Sequence, residues 1–402
     1  MDEYLNGINV MQSILDADMD DKFPLYLNNY DVIKDYVITF VDNEVGKNNY
    51  KFMLDVLQIN PQFIFTPFHS NNLYTLNAKF VSTLSPLSYF FDISLDTNIV
   101  SYIDKFQRKK DLDEKPLEMV KKLGKHRQMA STVNLSPYLN ENCLFKGQID
   151  THEKETIYNF FYYFNKFHHK WGFIAKREST KSTNRIIKNQ EMLLKSPLAI
   201  IFKQQYKIIY SSMLKIALLN LSNLNKKDKL IELIDFMANE IKAMDICLLE
   251  IAAVYFVEKQ KLLFFGKLQK EKKDIIDIIK NLSWDIFHLR YQEFLLSVKP
   301  VKGIDVNLVL FCTLDKRLIE LQEIIKLRAI AYNTKTGNYY PFYQSESVMK
   351  MLSKDEIHKY FQAEKHFNRI STKMNIDYDH VISNLEETVV TSYSKPTKGA
   401  AI

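Results

Sequence analysis

Tyr89-Phe90-Phe91-Asp92-Ile93-Ser94-Leu95-Asp96-Thr97-Asn98 is the stretch on which the fold of this chain turns. Its first seven residues are mostly aromatic and aliphatic, as in a strand. Asp96 ends the run, and Ile99-Val100-Ser101-Tyr102-Ile103 opens a helical pattern directly after it. A strand that ends in an aspartate and passes into a helix sets that carboxylate at the crevice where open α/β sheets take ligands. Thr97 and Asn98 are suited to cap the helix and to position Asp96.

A second run repeats the arrangement. Val306-Asn307-Leu308-Val309-Leu310-Phe311-Cys312 is almost continuously apolar, as expected of a strand buried on both faces. It ends at Thr313-Leu314-Asp315, and a helix is expected from 316 to about 331. Between the two runs the spacing of apolar residues predicts helices over 156–167, 192–221, 228–259 and 274–298, with a polar loop or exposed helix end over 176–190. The order strand–Asp, helices, strand–Asp, helix predicts the α/β class, a parallel sheet core flanked and interrupted by a mostly α-helical region. The expected divisions are an N-terminal mixed region over 1–85, with helical segments at 4–15 and 45–57, and a discontinuous core over 86–104 and 240–330. A helical insertion over 105–239 and a C-terminal extension with a mobile tail over 331–402 complete the chain.

Composition narrows the chemistry. Hydrophobic residues make up 46% and aromatic residues 13% of the 402, enough for packed domains and too much for a disordered chain. With only 9 glycines there is little material for glycine-rich phosphate loops, and the nucleotide-binding and zinc-protease signatures are absent. Cys143, Cys247 and Cys312 are too scattered for a zinc site and suggest buried thiols in a reducing compartment. The acidic start and the lack of a long apolar stretch predict a soluble, cytoplasmic protein without a membrane partner. A net charge of +6 permits a nucleic-acid partner without requiring one.

Four carboxylates stand out. Asp96 and Asp315 close the two strands, Asp285 follows Trp284 in a predicted helix, and Glu250 sits in the very apolar Asp245-Ile246-Cys247-Leu248-Leu249-Glu250-Ile251-Ala252-Ala253. Gathered carboxylates repel one another, and a hard cation such as Mg²⁺ or Mn²⁺ offsets that cost. The chemistry such a site serves best is phosphodiester hydrolysis.

In these four segments the chain resembles the PIN-domain nucleases. Leu95-Asp96-Thr97-Asn98 is similar to their first motif, Leu248-Leu249-Glu250 to their mid-domain glutamate, Ser283-Trp284-Asp285-Ile286-Phe287-His288-Leu289 to their third acidic motif, and Thr313-Leu314-Asp315-Lys316-Arg317-Leu318 to their last. The resemblance implies a PIN-like endoribonuclease in which Asp96, Glu250, Asp285 and Asp315 bind Mg²⁺ or Mn²⁺ and carry catalysis. Asn98, Arg290, Lys316 and Arg317 would then meet the substrate. It departs from the compact pattern, in which the first two acids lie a few dozen residues apart, whereas here the interval runs from 96 to 250. Glu258 or Glu240 is an alternative to Glu250. Asp92 and Ser94 share the Asp96 face of their strand and mark an edge position or an extra acid.

Basic residues from Lys166 to Lys195, interleaved with Phe167 and Trp171, suit an RNA partner, as do Lys121, Lys122, Lys125, His126 and Arg127. The expected settings are a toxin or phage-defence role, with a regulatory protein restraining the nuclease. The rival expectation is a non-catalytic helical protein that binds proteins or nucleic acid, its acids serving as caps and ion pairs.

Overall fold

Both quoted runs are strands in the computed structural model, which describes residues 2–41, 47–48, 64–68, 70, 72–78, 87–124, 133–169, 171–257, 262–269, 273–298, 304–325, 327–343, 346–362, 365, 369 and 376–394. The strands are β1 (Tyr36–Val41), β2 (Lys47–Asn48), β3 (Ile64–Phe65), β4 (Asn72–Leu76), β5 (Tyr89–Leu95), β6 (Val133–Asn134), β7 (Val306–Cys312), β8 (Leu327–Asn333) and β9 (Tyr339–Tyr343). The chain forms two compact units. One comprises Met1–Lys195, Arg290–Leu314 and Lys326–Phe342, the other Ser196–Leu289, Asp315–Ile325 and Tyr343–Ile402.

In the first unit one sheet has the order β3-β7-β5-β6. β5 runs parallel to β7 from Tyr89↔Val306 to Leu95↔Cys312, and parallel to β6 at Ile93↔Val133 and Ser94↔Asn134. Leu308 to Cys312 are all buried, as a strand covered on both faces requires. Each large apolar side chain on β7 contributes about 1.5–3 kcal/mol by leaving water, which is why this segment reads as core. The chain leaves β5 through helices Thr97–Gln107 and Glu114–Gly124, enters β6, and continues into helix Ser136–Cys143, opened by Pro137. Helix Thr151–His168 follows, fixed at its start by an Asp150–Glu153 capping box and burying Ile157, Phe160, Phe161, Tyr163 and Phe164. The stretch expected to be a purely helical insertion therefore carries a strand of the parallel sheet.

The other sheet has the order β2-β4-β1-β8-β9 and takes three of its strands from the described residues of 1–85. β1 is antiparallel to both β4 and β8. Helices Asp2–Asp16 and Met19–Asn28 pack Met11, Ile14 and Tyr26 into one core with Ile38, Phe40, Leu76, Ala329 and Ala331. The helix expected to reach about 331 stops at Ile324. Beyond it the chain forms the β8–β9 hairpin, whose connection passes Gly337 at φ +74°, a left-handed conformation suited to glycine. Of the expected helix over 45–57, residues 47–48 are strand and the rest lies outside the described residues.

Every described element wholly within the second unit is helical. Helix Pro197–Leu221 lies along Tyr378–Ser394, tied by Tyr210 Oη donating to Glu386 Oε1 at 2.5 Å and Tyr393 Oη to the Ala217 carbonyl at 3.2 Å. The predicted segment 228–259 resolves into Lys226–Asn239 and Ile246–Val257, parted by a turn in which Lys242 takes φ +50°. The stretch 176–190 lies within one long helix, Gly172–Leu194, which a Ser196-Pro197 break separates from the next. All three cysteines are buried free thiols. Among the described residues no helix is long and apolar enough to cross a membrane.

Candidate active site

Asp96 sits at the carboxyl end of β5, is 3% exposed, and opens helix Thr97–Gln107. Its backbone nitrogen donates to the Cys312 carbonyl at 2.9 Å, which pins it to the end of β7. Its carboxylate makes no capping bond to the helix that it opens. It faces across the sheet edge instead, where the Thr313 hydroxyl donates to Oδ2 at 2.7 Å and Asn98 Nδ2 approaches the same oxygen at 3.4 Å. The parallel pairing of β5 and β7 thus brings the first and last motif segments together through Asp96 and Thr313.

Glu141, which none of the sequence motifs includes, is the second acid here. It lies on helix Ser136–Cys143, delivered by β6, and its Oε2 accepts from the Thr97 hydroxyl at 2.5 Å. Burial raises the Glu141 pKa above the usual glutamate range, the Thr97 bond pulls it back, and the adjacent Asp96 carboxylate raises it again. The two-residue β6 is too short to give a periodicity that places the helix after it.

Glu250, Asp285 and Asp315 fall in the second unit, and Asp96 in the first. Glu250 is 6% exposed and takes backbone N–H groups at the start of helix Glu346–Met351, Ser347 at 2.6 Å and Val348 at 3.0 Å. That is the work of a helix-terminus anchor. Asp315 caps helix Lys316–Ile324 by accepting from the Arg317 backbone at 2.9 Å, and its carboxylate also pairs with the Arg317 guanidinium. Burial alone would raise the Asp315 pKa, but the Arg317 bonds and charge outweigh it and hold the group below the ordinary range. Asp285 is half-buried in helix Ile275–Ser297, between Trp284 and Ile286.

Among the expected substrate contacts, Asn98 and Lys316 are exposed, Arg317 is bound to Asp315, and Arg290 pairs with Glu293 at 2.7 Å. Among the described residues no group of three or more His, Cys, Asp or Glu side chains is gathered as metal ligands would be. Glu240 caps the end of helix Lys226–Asn239, while Glu258, Lys125, His126 and Arg127 lie outside the described residues.

Asp92, two pleats below Asp96 on β5, accepts from Asn134 Nδ2 at 3.0 Å and from Ser94 Oγ at 3.5 Å. Burial pushes its carboxyl up to about 7, and these two bonds only partly oppose it. A carboxyl raised on folding keeps its proton while the unfolded chain, near its ordinary value of about 4, has lost it. Its contribution is therefore favourable at low pH, declines as pH rises towards 7, and is flat above. Asp92→Asn should remove that slope and stabilise the chain at pH 8 by roughly 2–4 kcal/mol. Melting temperatures of both proteins from pH 5 to 8 test this, and parallel curves would sink it.

No protein-family model, no curated protein and no solved structure matches this chain.

Proposed function

We propose that this chain is a metal-dependent endoribonuclease of PIN-like type, with Asp96 and Glu141 as its central acids. The observation that carries the reading is that Asp96 ends β5 at the carboxyl edge of a parallel sheet, where α/β proteins bind ligands, and that a second acid, Glu141, accepts from Thr97, the residue directly after it. Two features support it. Asp96 opens a helix yet turns its carboxylate away from capping it, and Glu141 is held beside a like charge at a cost to its own ionisation.

The donor set fits Mg²⁺ or Mn²⁺, since both carboxylates offer hard oxygen ligands and Mg²⁺ often uses only one or two carboxylates along with substrate phosphate. Asp96 and Glu141 would hold the ion, which when bound supplies charge neutralisation at a phosphodiester and activation of water. Thr313 and Asn98 orient Asp96, and Thr97 orients Glu141. Glu141 replaces Glu250 as the mid-domain acid in this proposal.

Cleavage of labelled single-stranded RNA with Mg²⁺ or Mn²⁺ tests the reading, with wild type beside Asp96→Asn and Glu141→Gln. Cleavage lost in both variants supports the pair. Cleavage that survives both removes the site, and RNA binding without cleavage by wild type favours the non-catalytic alternative.

Helix Gly172–Leu194 supports RNA as the polymer. Lys176, Arg177, Lys181, Arg185 and Lys188 are all exposed along it, spaced so as to share one broad face. Trp171 and Phe173 at its start are 64% and 66% exposed, with ring centroids 5.9 Å apart. Charges for phosphates beside rings for bases are what single strands require. Combined Lys181→Gln, Arg185→Gln and Lys188→Gln should weaken single-stranded RNA binding about tenfold or more at 0.1 M salt. It should also reduce the slope of log affinity against log salt by about 2. An unchanged slope, read by fluorescence anisotropy, would clear this helix of the role.

A further inference from the structure

The second unit holds a cavity of about 420 Å³ that the nuclease reading leaves unused. Its walls include Asp235 from helix Lys226–Asn239, Lys242 from the turn after it, Lys359 and Tyr360 from helix Lys354–Phe361, and Lys365 and Arg369. Its lining thus sets four cationic side chains against one carboxylate.

The polar groups of this wall are organised. Tyr360 Oη donates to Asp235 Oδ1 at 2.8 Å and accepts from Lys359 Nζ at 2.7 Å. Lys365 Nζ donates to the Lys359 carbonyl at 2.6 Å, and Arg369 Nη1 to the Tyr360 carbonyl at 3.1 Å. Arg369 is only 8% exposed, so a guanidinium is held largely out of water at the cavity. Burial lowers its pKa from the usual arginine value. Lys242 comes from the turn that ends helix Lys226–Asn239, where Ala243 N–H donates to the Met237 carbonyl at 2.9 Å. It occupies a left-handed turn at φ +50°, where glycine meets no steric penalty and lysine does.

We propose that this cavity binds a phosphate-bearing small molecule. Four cationic side chains line one cavity, and a multiply charged anion bound there would offset their mutual repulsion. The volume falls in the range of small-molecule sites. The assignment stands apart from the nuclease reading, since it uses no residue of the Asp96–Glu141 pair.

Calorimetric titration of the full chain with inorganic pyrophosphate in 0.1 M NaCl tests the proposal. Saturable binding tighter than about 1 mM is expected. Lys242→Gly should weaken that binding about tenfold and at the same time raise the melting temperature, because glycine relieves the turn. Opposite signs in the two readouts separate loss of a ligand contact from loss of the fold. Lys359→Gln should weaken binding as well, whereas Lys154→Gln, exposed on helix Thr151–His168, should leave it unchanged. Absence of saturable binding by wild type overturns the proposal, as does equal affinity in Lys242→Gly and Lys359→Gln. Pyrophosphate displaced by single-stranded RNA would assign the cavity to a polynucleotide and overturn the small-molecule occupant.

Discussion

Asp96→Asn should lower metal-dependent RNA cleavage by about 10²–10³-fold, the scale seen when one preorganised electrostatic group is removed from an active site. The substitution is nearly isosteric. The amide oxygen that it introduces would still accept from the Thr313 hydroxyl that Asp96 Oδ2 meets at 2.7 Å, so the link between the ends of β5 and β7 is retained. Removing one of two adjacent carboxylates also relieves repulsion, and the Glu141 carboxyl should ionise more easily in the variant. The expected signature is a large fall in kcat with an unchanged or higher melting temperature. A fall in activity that merely tracked a fall in folded fraction would argue that Asp96 is a structural residue.

Glu250→Ala should have the opposite signature, a loss of about 2–4 kcal/mol in stability with cleavage per folded molecule retained. Both carboxylate oxygens of Glu250 accept backbone N–H groups, from Ser347 and Val348, in buried surroundings. Alanine leaves these donors without the carboxylate, and a buried group so stranded costs roughly 1–3 kcal/mol. It also removes a negative charge from the amino end of helix Glu346–Met351, where it is favourable. Glu250→Gln retains one acceptor oxygen and should lie between. Denaturant titration gives the stability and single-turnover cleavage gives the activity. Full stability with abolished cleavage in Glu250→Gln would return Glu250 to the ligand role that its apolar surroundings first suggested.

The two cases show what the sequence disclosed and why the remainder stayed hidden. β7 was legible because a strand buried on both faces has a composition that few other structures share, β5 because its residues are mostly aromatic and aliphatic, and the bounds of both coincide with the quoted runs. Asp96 was legible because it directly follows the run and precedes a helical pattern, the place where open α/β sheets take ligands. Glu141 was hidden because the strand that delivers it is two residues long, and its helix spans only Ser136–Cys143. Glu250 was conspicuous for a sound reason, since an acid in an apolar helix needs partners. Those partners are backbone groups nearly a hundred residues away, which no local pattern records. The β8 strand was read as helix because Leu, Ile and Ala on an alternating, twice-buried surface also satisfy a helical spacing. Gly337 in the following turn was the signal that favoured a hairpin.

The pairing of β1 with β8, and of β5 with β7, has a consequence for how the chain is made. The early partner in each pair leaves the ribosome long before the late one exists, a delay on the order of tens of seconds at ordinary elongation rates. During that interval β1 and β5 are nascent strands without their final neighbours, and open strand edges invite pairing with other chains. Yield from recombinant synthesis should therefore depend on chaperone supply and on growth temperature more than the stability of the finished protein would suggest. A message truncated before β7 would give a product that aggregates, because neither sheet can close.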